Sequence, residues 1–275
     1  MPPELTRQRQ AMTTLLEFCE ASPLVTSLSV GCSIGRNAAD ALSDIDAAVG
    51  VSAPRGAAGA EQVRDVESSI LELLPALGAC IDVLRQETAS DDVFIRRVFA
   101  QFEDRLQLDL AVVAEAEVRR GDAAPDFVAL YWSSDRAASR SFPSAREVSG
   151  KQVQDWAFLG WRALLDADKY LQRDSLWEAH HRLHEARERI WMLWATAHGA
   201  TYPWHGLSQV LDHDQGLLPP GIEATVAGLD GHDLRRAVVA TAGVLDHVST
   251  VAARQCGARL HTEIAEYTRR TVTSG

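Results

Sequence analysis

Lysine is nearly missing from this sequence. Lys151 and Lys169 are the only two in 275 residues, and every other basic position is arginine. Basic charge is short overall, with 27 Lys and Arg against 38 Asp and Glu and a formal net charge of −11. That balance argues against nucleic acid as a partner, because polyanion binding draws most of its affinity from Lys and Arg. It suits a cationic small molecule, which a negative field concentrates, although net acidity also simply keeps a protein dispersed. Long apolar runs are missing too: none approaches the roughly 20 residues that span a bilayer. The opening Met1-Pro2-Pro3-Glu4-Leu5-Thr6-Arg7 lacks the basic-then-apolar plan of a secretion signal. Cysteines are few. Cys19, Cys32, Cys80 and Cys256 are scattered without metal-ligand spacing, so they read as reduced thiols and the expected location is cytoplasmic. There is no Gly-x-x-x-x-Gly-Lys-Ser/Thr, no Gly-x-Gly-x-x-Gly after a strand and no Gly-x-Ser-x-Gly, which removes three common nucleotide-binding and hydrolase signatures.

What is present centres on residues 29–51. An apolar run from Leu24 to Val30 stops at Gly31, and a short polar loop follows with Ser33, Gly35 and Arg36. The chain returns through Asp44-Ile45-Asp46 into a second apolar run ending at Val51. Side chains alternate between the faces of a strand. Asp44 and Asp46 therefore share a face with the small residues Ala48 and Gly50. Ile45, Ala47, Val49 and Val51 take the other and can enter a core. Two carboxylates followed by small residues leave room for a ligand, and carboxylates spaced this way can converge on a hard cation such as Mg²⁺. A bare Asp-x-Asp is weak evidence, since Asp166/Asp168 and Asp212/Asp214 repeat the pattern. The strand, Gly/Ser loop, strand context sets this one apart.

Cys32-Ser33-Ile34-Gly35-Arg36, then Ala39-Asp40, then Ser43-Asp44-Ile45-Asp46 resembles the nucleotidyltransferase motif of the DNA polymerase β superfamily. The resemblance is strongest to its small-molecule branch of aminoglycoside and lincosamide nucleotidyltransferases. Cys32 stands where that family usually has Gly, and Gly31 precedes it. The resemblance implies that Gly31, Ser33, Gly35 and Arg36 bind the nucleotide's phosphates and that Asp44 and Asp46 bind Mg²⁺, two ions in all.

A third carboxylate lies further on. Leu106, Leu108, Leu110 and Val112 alternate onto one face of a strand, and Gln107, Asp109, Ala111 and Val113 take the other. A carboxylate within such a strand is costly to bury unless it is paired or ligates a metal. The alternative is an edge position facing water. The resembled family carries its third catalytic carboxylate on a strand beside Asp-x-Asp, which implies that Asp109 completes the metal site, acts as general base, or does both.

The remaining pattern predicts a helix over 4–21, a helix over 61–77 with Pro75 near its end, a short strand at 79–84 and a hairpin of 93–102 with 106–113. Residues 127–132 form a last strand or helical turn, and a connector rich in Ser, Arg and Pro covers 133–150. Helical periodicity then dominates, over 151–172, over 175–198 with Asp174 as its cap, and over 234–256 before a polar tail. Trp156, Trp161, Trp177, Trp191 and Trp194 fall at helical spacings and are expected in the core. His180 and His184 have the i, i+4 spacing of metal ligands but lack the Glu of His-Glu-x-x-His, so a solvated helix face is the better reading.

The expected fold class is α+β: a polymerase-β-like nucleotidyltransferase domain at 1–135, a mixed sheet with helices, followed by an all-helical bundle domain at 149–275. The expected function is Mg²⁺-dependent transfer of a nucleoside monophosphate, AMP from ATP, to a hydroxyl of a small cationic molecule such as an aminoglycoside, releasing pyrophosphate. A toxin–antitoxin-type enzyme that modifies protein or tRNA, and an inactive binding relative, are the alternatives. In the resembled family a basic residue of the helical domain contacts the triphosphate. That implies Lys169 or Lys151, where a compact flexible charge replaces the usual arginine. The sequence leaves the oligomeric state open.

Overall fold

The computed structural model describes residues 5–90, 93–115, 126–133, 147–213 and 217–274. The chain divides into two compact units, residues 1–145 and 146–275.

The first unit is built on a six-stranded mixed sheet in the order β3-β4-β5-β2-β1-β6. The strands are β1 (Val25–Val30), β2 (Ile45–Val51), β3 (Cys80–Ala89), β4 (Phe94–Phe102), β5 (Gln107–Ala114) and β6 (Val128–Trp132). β2 and β5 are parallel, and the pairs β1/β2, β1/β6, β3/β4 and β4/β5 are antiparallel. Helices α1 (Thr6–Ala21) and α3 (Ala60–Leu77) supply Ala11, Met12, Leu15, Val63, Val66 and Ile70 to a core. The same core takes Ile45, Ala47 and Val49 from β2 and Leu108, Leu110 and Val112 from β5. The apolar half of each strand's alternation is thereby spent against the two helices, and Asp46 and Asp109 fall on the opposite face.

Glu67 of α3 shows how the helix is fixed. Its carboxylate is fully buried and accepts four hydrogen bonds of 2.8 to 3.0 Å, two each from Arg85 of β3 and Arg96 of β4. β3 runs ten residues, longer than the 79–84 expected from its apolar pattern. It is an edge strand of the sheet and mostly exposed, so its second half carries polar residues that hide the strand signal.

The second unit is helical. It comprises α4 (Gly150–Gln172), α5 (Leu176–Ala197), α6 (Gly206–His213), α7 (Gly231–Cys256) and α8 (Thr262–Ser274). Ser149 caps α4 by accepting a hydrogen bond from the Gln152 amide. Three corrections to the sequence reading arise here. The expected polar tail is α8, which buries Ala265, Thr268 and Val272. The loop after α5 contains α6. Asp174 does not cap α5: it sits in a left-handed turn, φ 55°, and Ser175 is the N-cap. Trp156, Trp161 and Trp194 are buried, as expected, but Trp177 is 75% exposed. Most of the 133–150 connector lies outside the described residues. No helix among the described residues is long and apolar enough to cross a membrane.

Candidate active site

Asp46 and Asp109 are register partners on the adjacent parallel strands β2 and β5. Asp44 immediately precedes β2 and is exposed. The charges are close enough to act on one another. Burial first, then the neighbouring charges of Asp44, Asp109 and Asp126, push the Asp46 carboxyl above the usual carboxylate range, against a hydrogen bond from the Cys32 thiol. Asp109 is also raised, chiefly by burial and partly by Asp44, with Arg97 opposing. Folding has placed like charges together on a half-buried surface, an arrangement that a bound cation would relieve.

Among the described residues no three His, Cys, Asp or Glu side chains converge tightly enough to enclose a metal ion. That includes His180 and His184, of which His184 lies near Glu188 instead. The donor set at the strand pair nevertheless fits Mg²⁺, a hard cation commonly held by one or two carboxylates together with substrate phosphates rather than by a full protein cage. Asp44, Asp46 and Asp109 are the residues that could hold it.

The loop after β1 lies beside Asp46. The Gly31 amide donates to the Asp46 carbonyl at 2.9 Å, and residues Cys32–Gly35 make one helical turn, α2. Cys32 has φ 51°, the left-handed region that favours glycine. The position that departs from the resembled motif's Gly is thus one where the backbone adopts a glycine-like conformation. Burial and the nearby Asp46 push the Cys32 thiol well above its ordinary pKa, so it stays protonated and can donate to that carboxylate. The Ser33 hydroxyl oxygen is buried and has no hydrogen-bond partner among the described residues. A buried orphan of this kind is costly unless a ligand completes it.

The loop is fixed from two sides. The segment leading into β6 presses against it so closely that a methyl group at Gly35 would overlap the Asp126 carbonyl, and one at Gly31 would overlap the Phe127 ring. Arg36 forms an ion pair with Asp126 in which both side chains are buried, 6% and 1% exposed. Arg36 therefore anchors the loop. From α1, the buried Gln8 donates to the carbonyls of Ala41 and Ser43, at 3.1 and 2.9 Å. This staples the turn that delivers Asp44.

Lys151 and Lys169 lie on α4 of the second unit, ion-paired with Asp155 and Asp166 respectively. Sequence reasoning missed Arg97, Asp126 and Gln8. Arg97 was accessible in principle, because β4's alternation places it on the face opposite Phe94 and Val98. Asp126 and Gln8 carry no local signal: their partners are 90 and about 35 residues away.

No protein-family model matches the sequence, and no curated protein does. Among solved structures, the chain is similar to an aminoglycoside 6-adenyltransferase from Bacillus subtilis, with 15% identity, 98% of this chain and 99% of that one covered, and a TM-score of 0.42. It is also similar to a nucleotidyltransferase-like protein from Exiguobacterium sibiricum, with 14% identity, 90% and 77% covered, and a TM-score of 0.35.

Proposed function

We propose that this chain is a nucleotidyltransferase that moves a nucleoside monophosphate, AMP from ATP, to a hydroxyl of a small cationic molecule of the aminoglycoside kind. The observation that carries the reading is the in-register pair Asp46 and Asp109, flanked by Asp44 and by a loop whose buried Ser33 hydroxyl lacks a partner. The motif resemblance of residues 32–46 and the net charge of −11 support the donor and the acceptor class.

In this mechanism the acceptor's hydroxyl oxygen attacks the α-phosphorus. The bond to the bridging oxygen of the β-phosphate breaks, and pyrophosphate leaves. Bound Mg²⁺ would supply charge neutralisation along the triphosphate. Asp44 and Asp46 would hold the metal. Asp109 would complete the metal site, take the hydroxyl's proton as general base, or do both; its raised carboxyl supports the base role because a base works best with a pKa nearer the operating pH. Ser33 and the backbone around Gly31 and Gly35 would hold the β- and γ-phosphates. Arg36 keeps that loop in shape, and Lys169 or Lys151 would be the basic partner of the triphosphate that the motif resemblance implies.

Incubation with Mg²⁺, each NTP in turn and a panel of aminoglycosides and lincosamides, followed by weighing the products, tests the reading. The expected product is an acceptor heavier by one nucleoside monophosphate, with matching pyrophosphate. Labelling of tRNA or protein instead would overturn the small-molecule assignment.

A further inference from the structure

We infer that the open sheet face on the β4 side of the carboxylates is the acceptor subsite, shaped for a cationic, polyhydroxylated ring. The inference rests on the nucleotidyl-transfer reading and adds the place and chemistry of the second substrate.

The strand registers define two rows on that face. One runs Leu84, Phe99, Asp109, Asp46 across β3, β4, β5 and β2. The next runs Asp82, Gln101, Gln107 across β3, β4 and β5, with Asp44 alongside. All of these but Asp46 line a cleft of about 540 Å³. The Gly31–Arg36 loop follows β1, on the opposite flank of the carboxylates. In phosphoryl transfer the attacking and leaving oxygens lie roughly in line. With the phosphates held on the β1 flank, the attacking hydroxyl comes from the β4 flank.

Two features of that flank suit a ligand. Phe99 and Leu84 are apolar residues on the face turned away from the core, and Leu84 is 56% exposed. An aromatic ring in a cleft attracts ligand cations to its face, and a saturated sugar ring offers it an apolar surface. The polar row is ordered. Gln101 donates to the Phe102 carbonyl at 3.0 Å, and Gln107 donates to the Gln101 side-chain oxygen at 2.8 Å. This chain of bonds fixes Gln107 and leaves its own carbonyl oxygen as the atom for a ligand hydroxyl or ammonium. Asp82 spends one carboxylate oxygen on the Val83 amide, and the other can meet an ammonium. Arg97, two residues from Phe99 on the side away from Gln101, sets a positive boundary that repels ammonium groups and gives the ring its direction.

The test uses the full chain and kanamycin. Binding is followed by calorimetry, and KM is measured for both substrates, on the parent, Phe99→Ala and Asp82→Asn. Thermal melts check that each variant is folded; Asp82 is exposed, so its variant keeps the test valid if Phe99→Ala does not fold. Each variant is expected to weaken kanamycin binding and raise its KM about tenfold or more, with the MgATP KM within about twofold. If the parent binds kanamycin and both folded variants bind it equally well, the subsite is wrong while nucleotidyl transfer stands. A parent that binds no kanamycin also overturns the subsite. Binding lost in the variants without any transfer by the parent keeps the cleft as a site for cationic sugars but sinks the transfer reading, and the acceptor role with it.

Discussion

At the scale of single residues, the carboxylate pair should show a conflict between stability and activity. Burial and the nearby acids both disfavour the ionised form of Asp46. Asp46→Asn removes that repulsion while keeping the shape. The variant should melt a few degrees above the parent in metal-free buffer and lose nearly all transfer activity, because a metal ligand stabilises the transferring phosphoryl by several kcal/mol. A melting curve and a turnover assay on one preparation decide it: an unchanged rate contradicts the metal role, and a lower melting temperature contradicts the electrostatic account. Asp109→Asn should lower kcat far more than it raises the KM for MgATP, the mark of an interaction made mainly in the transition state. That Asp46 and Asp109 share a face was legible, because period-two alternation on two apolar strands fixes which side each residue takes. That Arg36 is buried in an ion pair was not. The loop motif offered it to phosphate, and nothing near it in sequence announces Asp126.

Among the elements, two pieces of buried polar chemistry hold the site's geometry. Asp126→Ala would leave the Arg36 guanidinium buried without its carboxylate, and breaking a buried pair from one side costs about 3–5 kcal/mol. Chemical denaturation should show a loss of that order, against well under 1 kcal/mol if the pair were incidental. The Glu67 network makes a pH prediction. Burial alone would raise its carboxyl, but the hydrogen bonds from Arg85 and Arg96 outweigh it and hold the pKa below the usual range. A depressed carboxyl contributes stability above its unfolded pKa, about 4.3 for Glu, and loses it as pH falls through the folded value. Glu67→Gln should therefore cost about 3 kcal/mol near neutrality, and the gap to the parent should close below roughly pH 4. A gap independent of pH would mean that packing, not charge, accounts for the loss. Helices with long apolar periods, α3 to α5 and α7, were readable from the sequence. α8 was not, because its buried positions include only two apolar residues, Ala265 and Val272, and Thr268 fills the third. A threonine satisfied by its own helix, here donating to the Ile264 carbonyl at 2.7 Å, looks polar in a sequence and behaves as a spacer in a core.

At the scale of the whole molecule, the described residues form two hydrophobic cores with no residue in common. One is drawn from residues 11–112 and the other from residues 153–272. A fragment of residues 146–275 should consequently keep its helical circular dichroism and unfold cooperatively; a fragment with helix but no cooperative melt would show that its core needs the first unit. The face carrying Asp46 and Asp109 is proposed to transfer a nucleotidyl group. The most direct measurement is pyrophosphate release and acceptor mass, followed together in Mg²⁺ and ATP for the parent and for Asp46→Asn. The account predicts one pyrophosphate per adenylylated acceptor from the parent and neither product from the variant. Equal release from both proteins would contradict it.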